Sequence, residues 1–378
     1  MNILIATDSF KDALPAIEVC RAIEAGIRSA KPDANIRLCP LTDGGEGAYE
    51  VLASALDMKE VETSACDPLS RPITAAYGYS AERETAFIEM AKTAGLQLLL
   101  PEERNPLLTS SFGVGRQIAD AIQREAQHIV LAIGGSATND AGIGMAAALG
   151  WQFLDKNGIV LQPVGGSLGQ IEAIVPPFRR PKVSVEVICD VTNPLFGQSG
   201  AAQVYARQKG ADDTVIGQLD AGLQHFARVA GMAGDGPDPD APGAGAAGGM
   251  GFGAMYFLNA GLRRGVDVVL DMLDMETKLI WADLVVTGEG KIDFQTAHGK
   301  LIQGLCSRSA QFETPVIAFC GRLDATEKEI RDIGLYAAYS INDLAEEQNL
   351  AEMLKNTGAN LERSARRIFQ TFALPDEK

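Results

Sequence analysis

Four aspartates stand at or just after the ends of short apolar runs: Asp8 after Asn2–Ala6, Asp43 after Ile36–Leu41, Asp190 after Val183–Cys189, and Asp293 beyond the run that begins at Leu284. Carboxylates so placed suit two tasks. Mg2+ prefers one or two carboxylates together with substrate phosphates, and a carboxylate near an attacking hydroxyl can take its proton. Lys11, Lys209, Lys291 and Lys300 each lie among glycine, aspartate or serine rather than on an amphipathic helix face. A lysine there can act as a point charge on phosphate, although a solvated surface lysine is the commoner use. Phosphoryl transfer asks for little beyond a held metal, in-line geometry and a base, and this residue set would support it. Any one of the aspartates is equally well explained as a helix N-cap or an Asx turn. Asp8, Asp43, Asp190 and Asp293 together, with Asp140 in a glycine turn, read as a site.

That turn is the sharpest local pattern. Ile129–Ile133 is an apolar run suited to a buried strand; Gly134, Gly135 and Ser136 break it; and Ala137–Leu149 reads as a small-residue helix with Thr138, Asn139 and Asp140 at its mouth. Strand, glycine turn and helix start can present backbone N–H groups to an anion, while the plainer reading is a tight βα turn. Gly243–Gly248 is literally G-x-G-x-x-G, but GDGPDPDAP precedes it where a dinucleotide fold requires a strand, so that reading fails. The glycine-dense stretch Gly231–Gly253 is then either a loop closing over phosphates or a mobile surface loop, too flexible to carry a core. No P-loop pattern occurs, and His298 is the one histidine in a glycine-rich setting, so nucleophilic triad chemistry has little support.

The elements that must position these residues alternate at both ends of the chain. Asn2–Ala6, a helix pattern from Asp12 to Arg28, the strand Ile36–Leu41 and a helix through Leu56 form a β-α-β-α start. The alternation returns at Leu284–Thr287, Val316–Phe319 and Ala337–Ile341. Between them, Val61–Cys66, Ile73–Tyr79 and Thr85–Met90 follow one another without helices, as in a meander. The expected fold class is α/β with two unlike domains. One is a doubly wound parallel sheet built from both termini (1–60 and 283–378), and the other an inserted mixed α/β domain (61–282). In such sheets ligands collect at the carboxyl ends of strands.

Composition narrows the partners. A formal charge of −16 disfavours nucleic acid and anionic membrane, so any bound phosphate must find its positive charge locally. Six cysteines without a C-x-x-C pair, and only three histidines, argue against zinc; the cysteines are expected to be small buried hydrophobes in a reducing compartment. MNILIATDSF lacks a basic leader, and no apolar run reaches membrane-span length. The expectation is a cytoplasmic protein, monomeric or homodimeric.

Eight blocks in register resemble the bacterial glycerate kinase family of glyoxylate and sugar-acid degradation. They are Asp8–Lys11 (DSFK), Asp43–Gly47 (DGGEG), Arg104–Leu107 (RNPL), Gly134–Asp140 (GGSATND), Asp190–Leu195 (DVTNPL), Gln208–Ala211 (QKGA), Pro242–Gly249 (PGAGAAGG), and Thr287–Gly290 (TGEG) with Asp293, Gln295 and Thr296. The resemblance covers essentially the whole chain. It implies ATP- and Mg2+-dependent phosphorylation of D-glycerate, generally on the 2-hydroxyl, and two α/β domains, one flavodoxin-like, with the active site in a cleft between them. On that basis Asp190 or Asp293 is the base, the other lying near the metal. Lys11 and Lys300 neutralise the transferring phosphoryl group. Gly134, Gly135, Ser136, Asn139, Gly243, Gly245 and Gly248 hold nucleotide phosphates, and Ser9, Asp43, Arg71, Arg104 and Lys209 are the substrate-binding candidates. Arg71, Arg104 and Lys209 are unranked as the clamp on the glycerate carboxylate. Thr7, Cys66–Ser70 and Arg207 depart from the family pattern; Arg207 adds charge beside Lys209. The alternatives are 3-hydroxyl phosphorylation, a kinase for a related hydroxy acid, and a nucleotide- or metabolite-binding regulator without turnover.

Overall fold

The apolar N-terminal run becomes the inner strand of a parallel sheet. The computed structural model describes residues 1–44, 48–232, 234, 236–293, 300–342 and 350–374. It divides into two compact units, Met1–Leu56 with Gly265–Lys378, and Asp57–Arg264. With strands numbered along the chain, the first unit holds β1 (Asn2–Ile5), β2 (Asn35–Leu38), β11 (Leu284–Ile292), β12 (Val316–Leu323) and β13 (Ala337–Ser340). All pair in parallel in the order β13-β12-β11-β1-β2. Read from the other edge, this is the flavodoxin-like 2-1-3-4-5 order, whose direction of winding reverses between β1 and β11.

The interior strand β1 buries Ile3, Leu4 and Ile5 completely because both faces of the sheet are covered by helices. On one face the helix Ala16–Ala30 packs against Thr357–Thr371, closely enough that a Cβ on Gly26 would stand 2.3 Å from the Glu362 carbonyl oxygen. The expected return to this unit at residue 283 comes earlier, at Gly265. The helices Gly265–Met272 and Met275–Trp281 belong here because Val266 packs on Gly304, Arg308 pairs with Asp271, and the Trp281 carbonyl accepts a hydrogen bond from Asn2.

The second unit carries β3 (Lys59–Cys66), β4 (Pro72–Ser80), β5 (Thr85–Glu89), β6 (His128–Ala132), β7 (Gln152–Leu154), β8 (Ala173–Val175), β9 (Ser184–Ile188) and β10 (Gly261–Arg263). Six of them form one mixed sheet, β10-β9-β6-β5-β4-β3, parallel from β10 to β5 and antiparallel at β4 and β3. The antiparallel end is the helix-free meander. Its core gathers Trp151, Phe153, Phe226, Phe252 and Phe257 in edge-to-face contacts, a geometry aromatic rings favour.

One expectation reverses here. The stretch read as too flexible for a core contains the helix Ala246–Leu258, with Ala244, Ala246, Met250 and Phe252 buried. Its glycines let backbone meet backbone at distances no side chain would allow. Among the described residues no helix is long and apolar enough to cross a membrane. Cys20, Cys39, Cys306 and Cys320 are buried, Cys66 and Cys189 half-buried, and none of the six is in a disulfide.

Candidate active site

In the second unit, β6 delivers the chain to a turn far longer than the sequence suggested. The helix begins only at Ile143, so Ser136 and Asn139 do not stand at a helix N-terminus. Asp140 is responsible for this delay. Fully buried, it accepts hydrogen bonds from the Ser111 backbone N–H (2.8 Å) and hydroxyl (2.8 Å) and from the N–H groups of Gly142 and Gly144 (both 3.2 Å). Ala141 and Gly142 take positive φ beside it. Burial pushes the Asp140 carboxyl pKa up while the four donors pull it down. Asp140 is thus the keystone of the turn, and its lone pairs are spent on backbone.

Lys209 approaches the same turn. It is 1% exposed, and its Nζ donates to Ser136 Oγ (2.8 Å) and the Thr138 carbonyl (2.7 Å). Burial lowers its pKa to about 7, against a smaller upward pull from Asp140. Next to it, Thr138 Oγ1 and both amide atoms of Asn139 are buried with no hydrogen-bond partner among the described residues, as is Arg104 Nε. Buried polar atoms without partners cost stability, so their persistence marks a place where a ligand's polar groups would be welcome. Arg104 belongs to this cluster through its backbone: a Cβ on Gly210 would lie 2.1 Å from the Arg104 carbonyl oxygen.

The glycine-rich segment packs on the turn. A Cβ on Gly248 would stand 2.1 Å from the Thr138 carbonyl oxygen, one on Gly245 2.1 Å from that of Pro194, and one on Gly243 2.7 Å from Cys189 Sγ. The N–H groups of Gly245, Ala246 and Gly249 bond to the carbonyls of Asn193, Gly243 and Gly245. The absence of side chains at Gly243, Gly245 and Gly248 thus lets the segment press closely onto GGSATND and DVTNPL. Gly134 and Gly135 remain exposed at the turn's rim, Gly135 with φ +70°. Asp190 lies half-buried just past β9, close to this seam.

Arg71 stands apart from the cluster. Its Nε donates to Asp67 (2.5 Å) and an Nη to Glu103 (2.6 Å), so its guanidinium is committed to two carboxylates. Of the three basic candidates for a carboxylate clamp, Lys209 and Arg104 are the ones gathered at the turn. Arg207 pairs with Asp213 at the surface, leaving Lys209 without a cationic neighbour from that source.

In the first unit, the residues following β1 meet the end of β11. The Asp8 N–H donates to the Gly288 carbonyl (3.2 Å), and Phe10 is buried against Gly288. Burial and the neighbouring charge of Asp43 raise Asp8 to about 6, opposed by hydrogen bonds from Ser9. Asp293 accepts from Lys291 Nζ (2.7 Å), which also reaches Asp324 at 3.4 Å. Ser9 and Lys11 line a cavity of about 1320 Å³ in this unit together with Glu289 and Lys291. Lys300 opens the helix Lys300–Ser309, but its side chain lies outside the described residues, as do Gly45–Gly47, Gln295 and Thr296. Asp190 and Asp293, of which one is expected to be the base and the other to lie near the metal, belong to different units. Among the described residues no group of three or more histidine, cysteine or acidic side chains forms a ready metal cage. Asp8, in a motif block, and Lys291, just after one, were legible as chemistry-bearing residues but not as partners of Asp43 and Asp293.

Residues 3–373 match the family model described as glycerate kinase family. The chain belongs to the glycerate kinase family. It is 40% identical to a glycerate kinase from Bacillus cereus over the full length of both chains. It is also 40% identical to the glycerate 2-kinase of Escherichia coli K12, covering 99% of this chain and 98% of that one. The crystal structure of a candidate glycerate kinase 2 from Salmonella typhimurium LT2 superposes with a TM-score of 0.86 at 40% identity, covering 98% of each chain. The resemblance read from the motif blocks and the α/β fold class are both upheld.

Proposed function

We propose that this enzyme transfers the γ-phosphoryl group of ATP to the 2-hydroxyl of D-glycerate, giving 2-phosphoglycerate and ADP. The observation that carries this reading is the full-length likeness to a glycerate 2-kinase at 40% identity. The turn in the second unit supplies the acceptor chemistry. Lys209, already bonded to Ser136 and Thr138, offers a basic group, and Asn139 and Arg104 offer unpaired donors, to a carboxylate and a hydroxyl. Lys209 and Arg104 are the clamp, and Arg71 serves to tie Asp67 to Glu103.

As the glycerate oxygen attacks phosphorus, the bond to the ADP oxygen breaks and the hydroxyl proton passes to a carboxylate, Asp190 or Asp293. Lys11 and Lys300 neutralise charge on the group in transit. Asp8 and Asp43, two neighbouring carboxylates of the first unit whose mutual repulsion a divalent cation would relieve, fit Mg2+. Mg2+, when bound, offsets charge on the phosphate oxygens. The test is an assay coupled through enolase, which accepts 2-phosphoglycerate directly. A signal that needs phosphoglycerate mutase would move the transfer to the 3-hydroxyl, and turnover with another hydroxy acid but not with glycerate would refute the substrate.

A further inference from the structure

One cavity of the first unit is far larger than a three-carbon acid needs, and several apolar side chains line it. It holds about 1320 Å³, and its walls include Leu14, Leu323, Met353 and Leu354, with Ser340 and Asn342 as polar points. Small-molecule pockets of comparable build take a flat apolar body fixed by a few polar groups. Charged side chains line it as well: Lys11 from the segment after β1, Lys291 from β11 and Arg322 from β12, with Asp8 and Glu289. Lys11 and Lys291 thus reach the cavity from either side of the boundary between β1 and β11. This boundary is where the sheet reverses its winding: β1 leads outward to β2, and β11 leads the other way to β12 and β13. In doubly wound sheets a ligand sits outside the carboxyl ends of the strands at such a reversal.

We propose that the nucleotide co-substrate binds wholly in the first unit, with its phosphates beside Lys11 and Lys291 at the β1/β11 reversal and its base along Leu323, Met353 and Leu354. The placement rests on the reading of this enzyme as an ATP-dependent kinase. It moves the nucleotide away from the glycine-rich segment of the second unit, where the expected phosphate-binding glycines are packed against carbonyls. A polyphosphate with an aromatic base suits this mixed lining: Lys11, Lys291 and Arg322 offer cations to the phosphates, and Leu14, Leu323, Met353 and Leu354 offer uncharged side chains to the ring. Lys291 is half exposed, and its ion pairs with Asp293 and Asp324 hold it at the cavity mouth.

Calorimetric titration of the intact protein with Mg–ADP tests the placement without requiring turnover. Lys11→Ala removes an exposed charge, and Met353→Trp fills the apolar wall; thermal unfolding reports whether each remains folded. Each should weaken ADP binding by about tenfold or more, the equivalent of about 1.4 kcal/mol, while Lys209→Met in the second unit leaves ADP affinity within about twofold. Wild-type ADP affinity in Lys11→Ala, or an equal loss in Lys209→Met, overturns the proposal, as does a wild-type protein that binds no ADP. Should Met353→Trp fail to fold, Lys11→Ala decides. A wild-type protein that binds ADP in this cavity yet does not phosphorylate glycerate would refute the proposed substrate and leave the nucleotide placement standing.

Discussion

Replacing Lys209 with methionine separates the cost of a buried charge from the worth of its hydrogen bonds. The Lys209 side chain is fully enclosed and has no carboxylate of its own, because Asp140 spends its oxygens on Ser111, Gly142 and Gly144. Its pKa falls from 10.5 to about 7. Between those values the unfolded chain is protonated at this residue and the native protein is not, so stability rises with pH through that window. Below pH 7 the native state carries the buried ammonium, at a penalty of about 5 kcal/mol set by the fall in pKa. Methionine removes that penalty at every pH. It also strips donors from the Thr138 carbonyl and Ser136 Oγ, at about 1–3 kcal/mol each. Lys209→Met should therefore be most favourable at acid pH. Relative to it, the wild type should gain about 2–3 kcal/mol between pH 6 and pH 9. Urea unfolding of both proteins across that range measures the difference. A gap that stays flat with pH would refute the reasoning, since it would mean that Lys209 keeps its proton throughout or that water reaches it.

Further outcomes follow from the same geometry. Asp140→Asn places an amide N–H2 where four donors converge, and should cost about 2–5 kcal/mol in denaturant unfolding; a loss below 1 kcal/mol would remove Asp140 from its keystone role. Gly248→Ala, at φ +72° with its Cβ 2.1 Å from the Thr138 oxygen, should destabilise by about 2–5 kcal/mol and raise the glycerate KM by shifting the turn, so a variant with wild-type stability and KM would show the contact yields cheaply. Whichever of Asp190 and Asp293 is the base, its asparagine variant should lower kcat by about 10²–10⁴-fold with an unchanged melting temperature. Near-normal turnover in both variants would eliminate both as the base.

The alternation of Ile3–Ile5, Leu284–Val286 and Val316–Phe319 with helical patterns was enough to announce a parallel sheet built from both termini, because a strand covered on both faces reads as an unbroken apolar run. The motif blocks announced the family, since eight of them in order over the chain leave little room for coincidence. Local patterns failed where the deciding contact is distant in sequence. Nothing near residue 140 reveals that Ser111 and two following N–H groups capture Asp140 and delay the helix to Ile143. Glycine density between 243 and 253 suggested mobility, because glycine widens the choices of an isolated chain; folded against Thr138, Pro194 and Ala141, the same residues become the closest packing in the unit. Lys209 gave no sign of burial, since a lysine beside glycine is commonly solvated.

By itself, the sequence determined the fold class, the family and the residue types that do the chemistry, for these are written in periodicity and in motif. Which basic side chains are already paired, which glycines sit in tight contact, and where a cavity opens beside β1 and β11 were decided only by tertiary structure. The physical reason is that hydrogen-bond capacity and space are shared resources. Arg71 is taken up by Asp67 and Glu103, Asp140 by Ser111, Gly142 and Gly144, and the N–H groups of the glycine segment by neighbouring carbonyls. What remains unspent, at Thr138, Asn139 and Arg104 beside the buried Lys209, becomes apparent once the chain has folded and its other claims are met.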